Sequence, residues 1–312
     1  MKTSRRRRIG WMGLIAVALL GSSPRPALAQ GSKAPVPGSA AGPEAPVPTR
    51  TVGPKAPPPA RSKKGTPAVT VNVAALTEKL KSGEPVDVRA GLAEAKAAGK
   101  GAAPVAPTIE ELLRRGAPGD LAGLAIDALG AIGSETSTPA LAPYGRHRTP
   151  DTRKKALAAL SRTGGSAAVA SLRAALSDPD AGVRAVAASG LGTLRGREAV
   201  QDLFTALDHD VIDAAASLGQ LCTPDECEKL AGKLANLGLD VLTSAFDSIL
   251  FRPASEIPDD EKIRIIERVR DLRTREANKY LRDVQSRWPP RDSVRVKQAL
   301  EQAVAATAGA TS

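Results

Sequence analysis

Few side chains in this sequence have chemistry to offer. Cys222 and Cys227 are the only cysteines, and Thr223-Pro224-Asp225-Glu226 between them has the S/T-x-x-E form of a helix capping box with proline in the first helical position. The cysteines then flank the cap at the two positions of a hydrophobic staple, where side chains meet. In an oxidising compartment that contact is expected to close as an intramolecular disulfide, and in a reducing one it would remain an apolar pair. Dithiol redox chemistry fits less well, because the spacing is not C-x-x-C and no strand pattern surrounds it. His147 lies in Tyr144-Gly145-Arg146-His147-Arg148, and His209 lies between Asp208 and Asp210. The latter trio has ligand-type side chains, yet Asp178-Pro179-Asp180 occupies the corresponding loop earlier in the chain, so helix capping accounts for its acids. Two histidines leave little for a His-rich zinc site or a Ser/His/Asp constellation, and no glycine-rich phosphate loop follows a strand. No catalytic residue, metal or cofactor is expected.

The elements that hold these residues come from repetition. Ala128-Leu129-Gly130-Ala131-Ile132-Gly133, Ala159-Leu160-Ser161-Arg162-Thr163-Gly164, Gly190-Leu191-Gly192-Thr193-Leu194-Arg195 and Ser217-Leu218-Gly219-Gln220-Leu221 align, with Leu129, Leu160, Leu191 and Leu218 spaced by 31, 31 and 27 residues. Fainter copies end at Ile249 and begin near Val88-Arg89. A fixed period of this size marks a stacked solenoid. Within one period, Val183, Val186, Ala187, Gly190, Leu191 and Leu194 follow helical spacing, with Asp180 as the cap and Arg184 as its expected ion-pair partner. After the turn at Arg195-Gly196, Ala199, Val200, Leu203 and Leu207 form a second stripe. Neither stripe is buried alone, so successive helix pairs must stack. The expected fold is all-α, an α-solenoid.

The run Asp178-Pro179-Asp180-Ala181-Gly182-Val183-Arg184-Ala185-Val186-Ala187-Ala188-Ser189-Gly190-Leu191-Gly192 resembles a HEAT repeat, particularly the short bacterial type shared with phycobilisome-lyase-like proteins. The resemblance implies a right-handed superhelix of about six helix pairs whose usual work is holding other macromolecules. It is good for residues 150–208, fair for 86–149 and 209–252, and weak afterwards. Departures are Thr152-Arg153 in place of Val-Arg, Lys96 where a core leucine is expected, and Val211-Ile212 without the arginine.

Charge divides the chain further. The formal +11 holds +6 in residues 1–30 and +5 in residues 31–68, so the remainder is neutral, with −5 over 69–260 and +5 from Glu261 onward. Lys2 to Arg8, the apolar stretch from Ile9 to Gly21 and Ala27-Leu28-Ala29 have the order of an export signal, with cleavage expected after Ala29. The alternative is an uncleaved anchor, against which Pro24 and Pro26 speak. The expected organisation is a signal peptide over 1–29, a disordered basic Pro/Ala-rich linker over 30–68, a HEAT-like solenoid over 69–258 and atypical capping helices over 259–312. The linker is either a plain spacer or a contact for anionic envelope polymer or lipid.

A neutral to slightly acidic repeat body argues against nucleic acid. The expected function is a non-catalytic protein-binding scaffold or adaptor of the bacterial envelope, in the periplasm or secreted, with a lyase-like enzyme subunit or an envelope assembly factor as alternatives. Recognition is expected on the inner face, lined by second helices aligned on Leu141, Leu172, Leu203 and Leu230, whose next column is Ala142, Arg173, Phe204 and Ala231. Arg173 beside an exposed Phe204 would suit a protein contact, and Phe204 in the inter-repeat core is the competing reading.

Overall fold

The computed structural model describes residues 72–309, and the signal and linker segments, 1–29 and 30–68, lie outside the described residues. Helix follows helix throughout: α1 (Val73–Lys81), α2 (Pro85–Ala98), α3 (Ala106–Arg114), α4 (Gly119–Ile132), α5 (Thr138–Leu141), α6 (Pro150–Thr163), α7 (Ser166–Ala175) and α8 (Ala181–Thr193). The chain continues with α9 (Val200–Asp208), α10 (Ala214–Leu221), α11 (Pro224–Ala231), α12 (Leu234–Leu237), α13 (Leu239–Leu250), α14 (Asp259–Asp271), α15 (Arg275–Arg287) and α16 (Val294–Thr307). Short 3-10 segments at Gly99–Val105, Glu135–Ser137, Ala142–Arg146 and Arg197–Ala199 join or extend them. No helix among the described residues is long and apolar enough to cross a membrane.

Two rows form an α-solenoid. The first helices α2, α4, α6, α8, α10 and α13 pack each on the next, whereas the shorter second helices α3, α5, α7, α9 and α11 touch one another little. Small residues let the first row close up. A Cβ added to Gly130 on α4 would stand 2.8 Å from that of Ala159 on α6, and one added to Gly192 on α8 would stand 2.5 Å from Ser217 Oγ on α10. At Gly219 the added atom would meet the backbone of Ala245 on α13. Those approaches explain why the repeat leucine is so often followed by glycine: Leu129, Leu160, Leu191 and Leu218 are all fully buried, and the small neighbour lies under the next helix.

Local signals set the helix ends. Asp180 accepts the Val183 N–H at 2.9 Å, and the Thr223 cap is a reciprocal box, with the Glu226 side chain accepting the Thr223 N–H at 2.8 Å. Arg195 takes a left-handed backbone (φ 53°) after α8, while Gly196 N–H returns to Leu191 O at 3.0 Å.

Three expectations need correction. Arg184 does not pair with Asp180; its Nη1 donates to the carbonyls of Asp178 at 2.8 Å and Pro179 at 3.2 Å, because the Asp180 side chain is turned onto the helix end. Lys96 does not take a core position: Val88, Leu92 and Ala95 fill the core, and Lys96 faces out to Asp127 one repeat later at 2.9 Å. In the last helix the sequence spacing of Val294, Val296, Leu300 and Val304 predicts the apolar stripe, yet Val294 is 66% exposed, and Val296, Leu300 and Ala303 form the buried face.

The last three helices pack on one another and onto α11 and α13. Ile265, Ile266, Val269, Leu281, Val284 and Leu300 extend the core, and Phe251 meets Trp288 with ring centroids 5.6 Å apart. Lys262 is also inside: its Nζ donates to Arg252 O and lies 5.6 Å from the Trp288 ring centroid, and burial lowers its pKa.

Candidate interaction surface

Because the first helices close up and the second helices do not, the second-helix side carries clefts between repeats. One of about 830 Å³ lies between the α3–α4 turn and the loop after α5, with Leu113, Ala117, Ala122, Pro139, Tyr144 and His147 among its walls. A second of about 720 Å³ lies on the other flank of that loop, against α7, with Pro143, His147, Arg153, Ala174 and Asp178 among its walls. A third, of about 370 Å³, separates α7 from α9 and contains Arg173, Asp202 and His209. The ridge between the first two is the 3-10 segment Ala142–Arg146 followed by His147 and Arg148.

Several bonds hold that ridge. Tyr144 Oη donates to Leu113 O in the preceding repeat at 2.9 Å, and its ring stacks on His147 with centroids 6.3 Å apart. Burial raises the Tyr144 pKa, which keeps the phenol a donor. Thr149 N–H donates to His147 Nδ1 at 3.1 Å, so the neutral imidazole carries its proton on Nε2. Arg153, at the position where the repeat pattern has arginine after valine, supports the loop from beneath. Its Nη1 donates to His147 O at 2.9 Å and Arg148 O at 3.2 Å, while Nε and Nη2 bind both carboxylate oxygens of Asp178 at 2.8 and 2.7 Å. Burial raises the Asp178 pKa, but the Arg153 pair and the Asp180 N–H outweigh it, and the carboxyl lies below its ordinary value. This two-sided anchorage compensates for the irregular Thr152-Arg153 pair.

Arg173 and Phe204 are not brought together as a surface pair. Arg173 is exposed, with Nε bonded to Asp202 at 2.5 Å. Phe204 is only 3% exposed, and Lys229 Nζ lies 4.4 Å from its ring centroid. The second helices are not in strict register, so one sequence column passes from the half-buried Ala142 through exposed Arg173 to buried Phe204 and Ala231. Sequence inspection also passed over Arg146, His147 and Arg148 as a surface, although the proline- and glycine-rich run around them signalled an irregular second helix.

Cys222 and Cys227 are joined as a disulfide with a Cα–Cα distance of 5.3 Å, fully buried on either side of the capping box, and Arg252 Nη1 donates to Cys222 O at 2.7 Å. The acids around His209 do not cap a helix: Asp208 pairs with Lys233 and Asp210 takes a left-handed backbone. No cluster of three or more metal-ligating side chains occurs among the described residues.

Packing of this kind defines the class: a repeat protein of the α-solenoid type, with one tightly stacked row and one open row. The family model for HEAT repeats matches residues 106–189 and, overlapping them, 143–216. Residues 106–216 therefore carry recognisable HEAT repeats. No curated protein matches it. Solved structures similar to it include the CpcE–CpcF complex of phycocyanin lyase from Nostoc sp. PCC7120, at 15% identity and a TM-score of 0.43 over 79% of this chain and 97% of that one. A designed armadillo repeat protein is similar at 16% identity and a TM-score of 0.38, over 75% of this chain and 99% of that one.

Proposed function

We propose that this is a non-catalytic adaptor of the bacterial cell envelope: exported, cleaved after Ala29, tethered by its basic Pro/Ala-rich segment, and binding protein partners along the second-helix side of the solenoid. The observation that carries the reading is the run of three neighbouring clefts on that side, each formed between repeats. A partner lying across them would be held by several repeats at once, each contributing a modest contact. The N-terminal order of basic run, apolar stretch and A-x-A site supports export.

Crosslinking and affinity capture in the native host, comparing residues 30–312 with 69–312, tests the reading. A defined protein partner retained by both, together with a mature chain beginning at Gln30 in the envelope fraction, is the expected result. Capture that depends on 30–68, or recovery of anionic polymer alone, would move the function to the tether. Loss of a measurable turnover on one polar substitution would indicate an enzyme instead.

A further inference from the structure

Several cations on the repeats pair with acids of a neighbouring repeat. Arg89 pairs with Asp120, Lys96 with Asp127, Arg173 with Asp202, and Arg197 with Glu226. The ridge between the two clefts that flank His147 has cations outside such pairs. Arg146 and Arg148 are exposed and have no ion-pair partner among the described residues. The larger cleft has His147, Arg148 and the Glu111-paired Arg114 in its wall and no acid. The other has a single acid, Asp178, and both of its oxygens are already bound by Arg153. His147 adds an Nε2–H donor, since its Nδ1 is occupied, and α6 begins at the same edge with no side chain bonded to its first-turn N–H groups. The floors on either side are apolar, built from Leu113, Ala117, Pro139, Pro143 and Ala174.

Resting on the adaptor reading, we propose that the two clefts flanking His147 dock an acidic, extended peptide segment of the partner. Its apolar side chains enter the clefts and its carboxylates sit on Arg146, Arg148 and the His147 Nε2–H. Charge complementarity selects this occupant. Residues 69–260 carry a net −5, so an acidic segment is repelled by most of the repeat body and attracted at this ridge, which directs it to one register. Guanidinium groups also suit carboxylates, because their planar fork offers two parallel donors. Dissociation should accelerate with added salt, because the contacts are at an exposed rim.

The test is selection of a random twelve-residue peptide library on the mature chain, followed by binding of the enriched peptides to wild type, Arg146→Glu/Arg148→Glu, and an Arg282→Glu control. Arg282, on α15, is likewise exposed and without an ion-pair partner among the described residues. The expected result is a pool rich in Asp and Glu around one or two apolar residues, weakened about tenfold or more by the double variant and unaffected by the control. His147→Ala, with the arginines intact, should weaken the same peptides less. Circular dichroism and Tm check that the double variant is folded, which its exposed positions favour.

An enriched pool without excess acid, a pool indifferent to the double variant, no enrichment, or equal retention of inorganic polyphosphate overturns the proposal. Crosslinking of the native partner to the double variant separates the two readings. A partner still captured by the variant leaves the adaptor function standing and this site wrong. Acidic peptides that depend on the ridge, with no native protein partner found, leave the site standing and the adaptor function wrong.

Discussion

At the residue scale, the most informative group outside the clefts is Glu261. It is 2% exposed, and burial raises its pKa above the ordinary 4.5; Arg264 opposes the rise and Glu228 adds to it. One oxygen of each carboxylate, Glu228 Oε2 and Glu261 Oε1, is buried without a hydrogen-bond partner. The folded state therefore holds a proton that the unfolded chain releases at lower pH. That contribution to stability is complete below about 4.5 and is lost as pH rises through the raised value. Glu261→Gln is expected to raise Tm relative to wild type at pH 7–8, with the two melts converging near pH 4; a constant difference across the range would show that Glu261 is not the titrating group. The disulfide is also a single-residue matter. Closing so short a loop stabilises by about 2 kcal/mol in the chain-entropy account, so Cys227→Ser should lower the denaturation free energy by about that amount. Intact mass with and without reductant checks the bond itself.

At the element scale, the first-helix row depends on small residues and buried leucines. Gly130→Val would press into Ala159, and overpacking of this kind costs about 1–3 kcal/mol. Leu191→Asp places a carboxylate at a fully buried seam between α8 and its neighbours, and should abolish the cooperative melt. An unchanged thermal transition would mean that the helix phase is wrong. Arg195 offers the opposite sign. It holds a left-handed backbone that glycine adopts freely, and its side chain is exposed, so Arg195→Gly should stabilise by about 1 kcal/mol, read as an increased denaturation midpoint. The register of the first helices was legible in the sequence: Val183, Ala187 and Leu191 are buried as their spacing predicts. The second helices were less legible. Tyr144-Gly145-Arg146 continues α5 as a 3-10 turn rather than an α-helix, and Pro139 and Pro143 restrict that segment locally.

At the scale of the whole molecule, an open-ended stack needs its ends closed. The α14–α16 unit covers α13 with Ile265, Ile266 and Leu281 and is tied to it by Arg287 and Tyr280, both bonded to Asp247 at 3.0 and 3.1 Å. Truncation after Pro258 would expose that apolar end, and is expected to lower Tm and promote association, read by light scattering. The charge distribution belongs to this scale too. Ion pairs between residues 25 to 40 positions apart join neighbouring elements, from Lys233–Asp208 to Arg268–Glu228. Arg146 and Arg148, at the clefts flanking His147, take no part in that ladder.

The amino-acid sequence by itself determined the period, the first-helix stripes, the capping box and the nearness of Cys222 to Cys227, because each depends on residues within a few positions of one another. Tertiary structure alone decided that Phe204 is buried beneath Lys229, that Arg184 bonds carbonyls while Arg153 holds Asp178, that Lys96 faces solvent, and that Arg146, His147 and Arg148 crown a ridge between two clefts. These depend on how far each helix pair is rotated and spaced against the next. That rotation is set by the summed packing of many side chains, such as Gly130 on Ala159, and no local pattern encodes it.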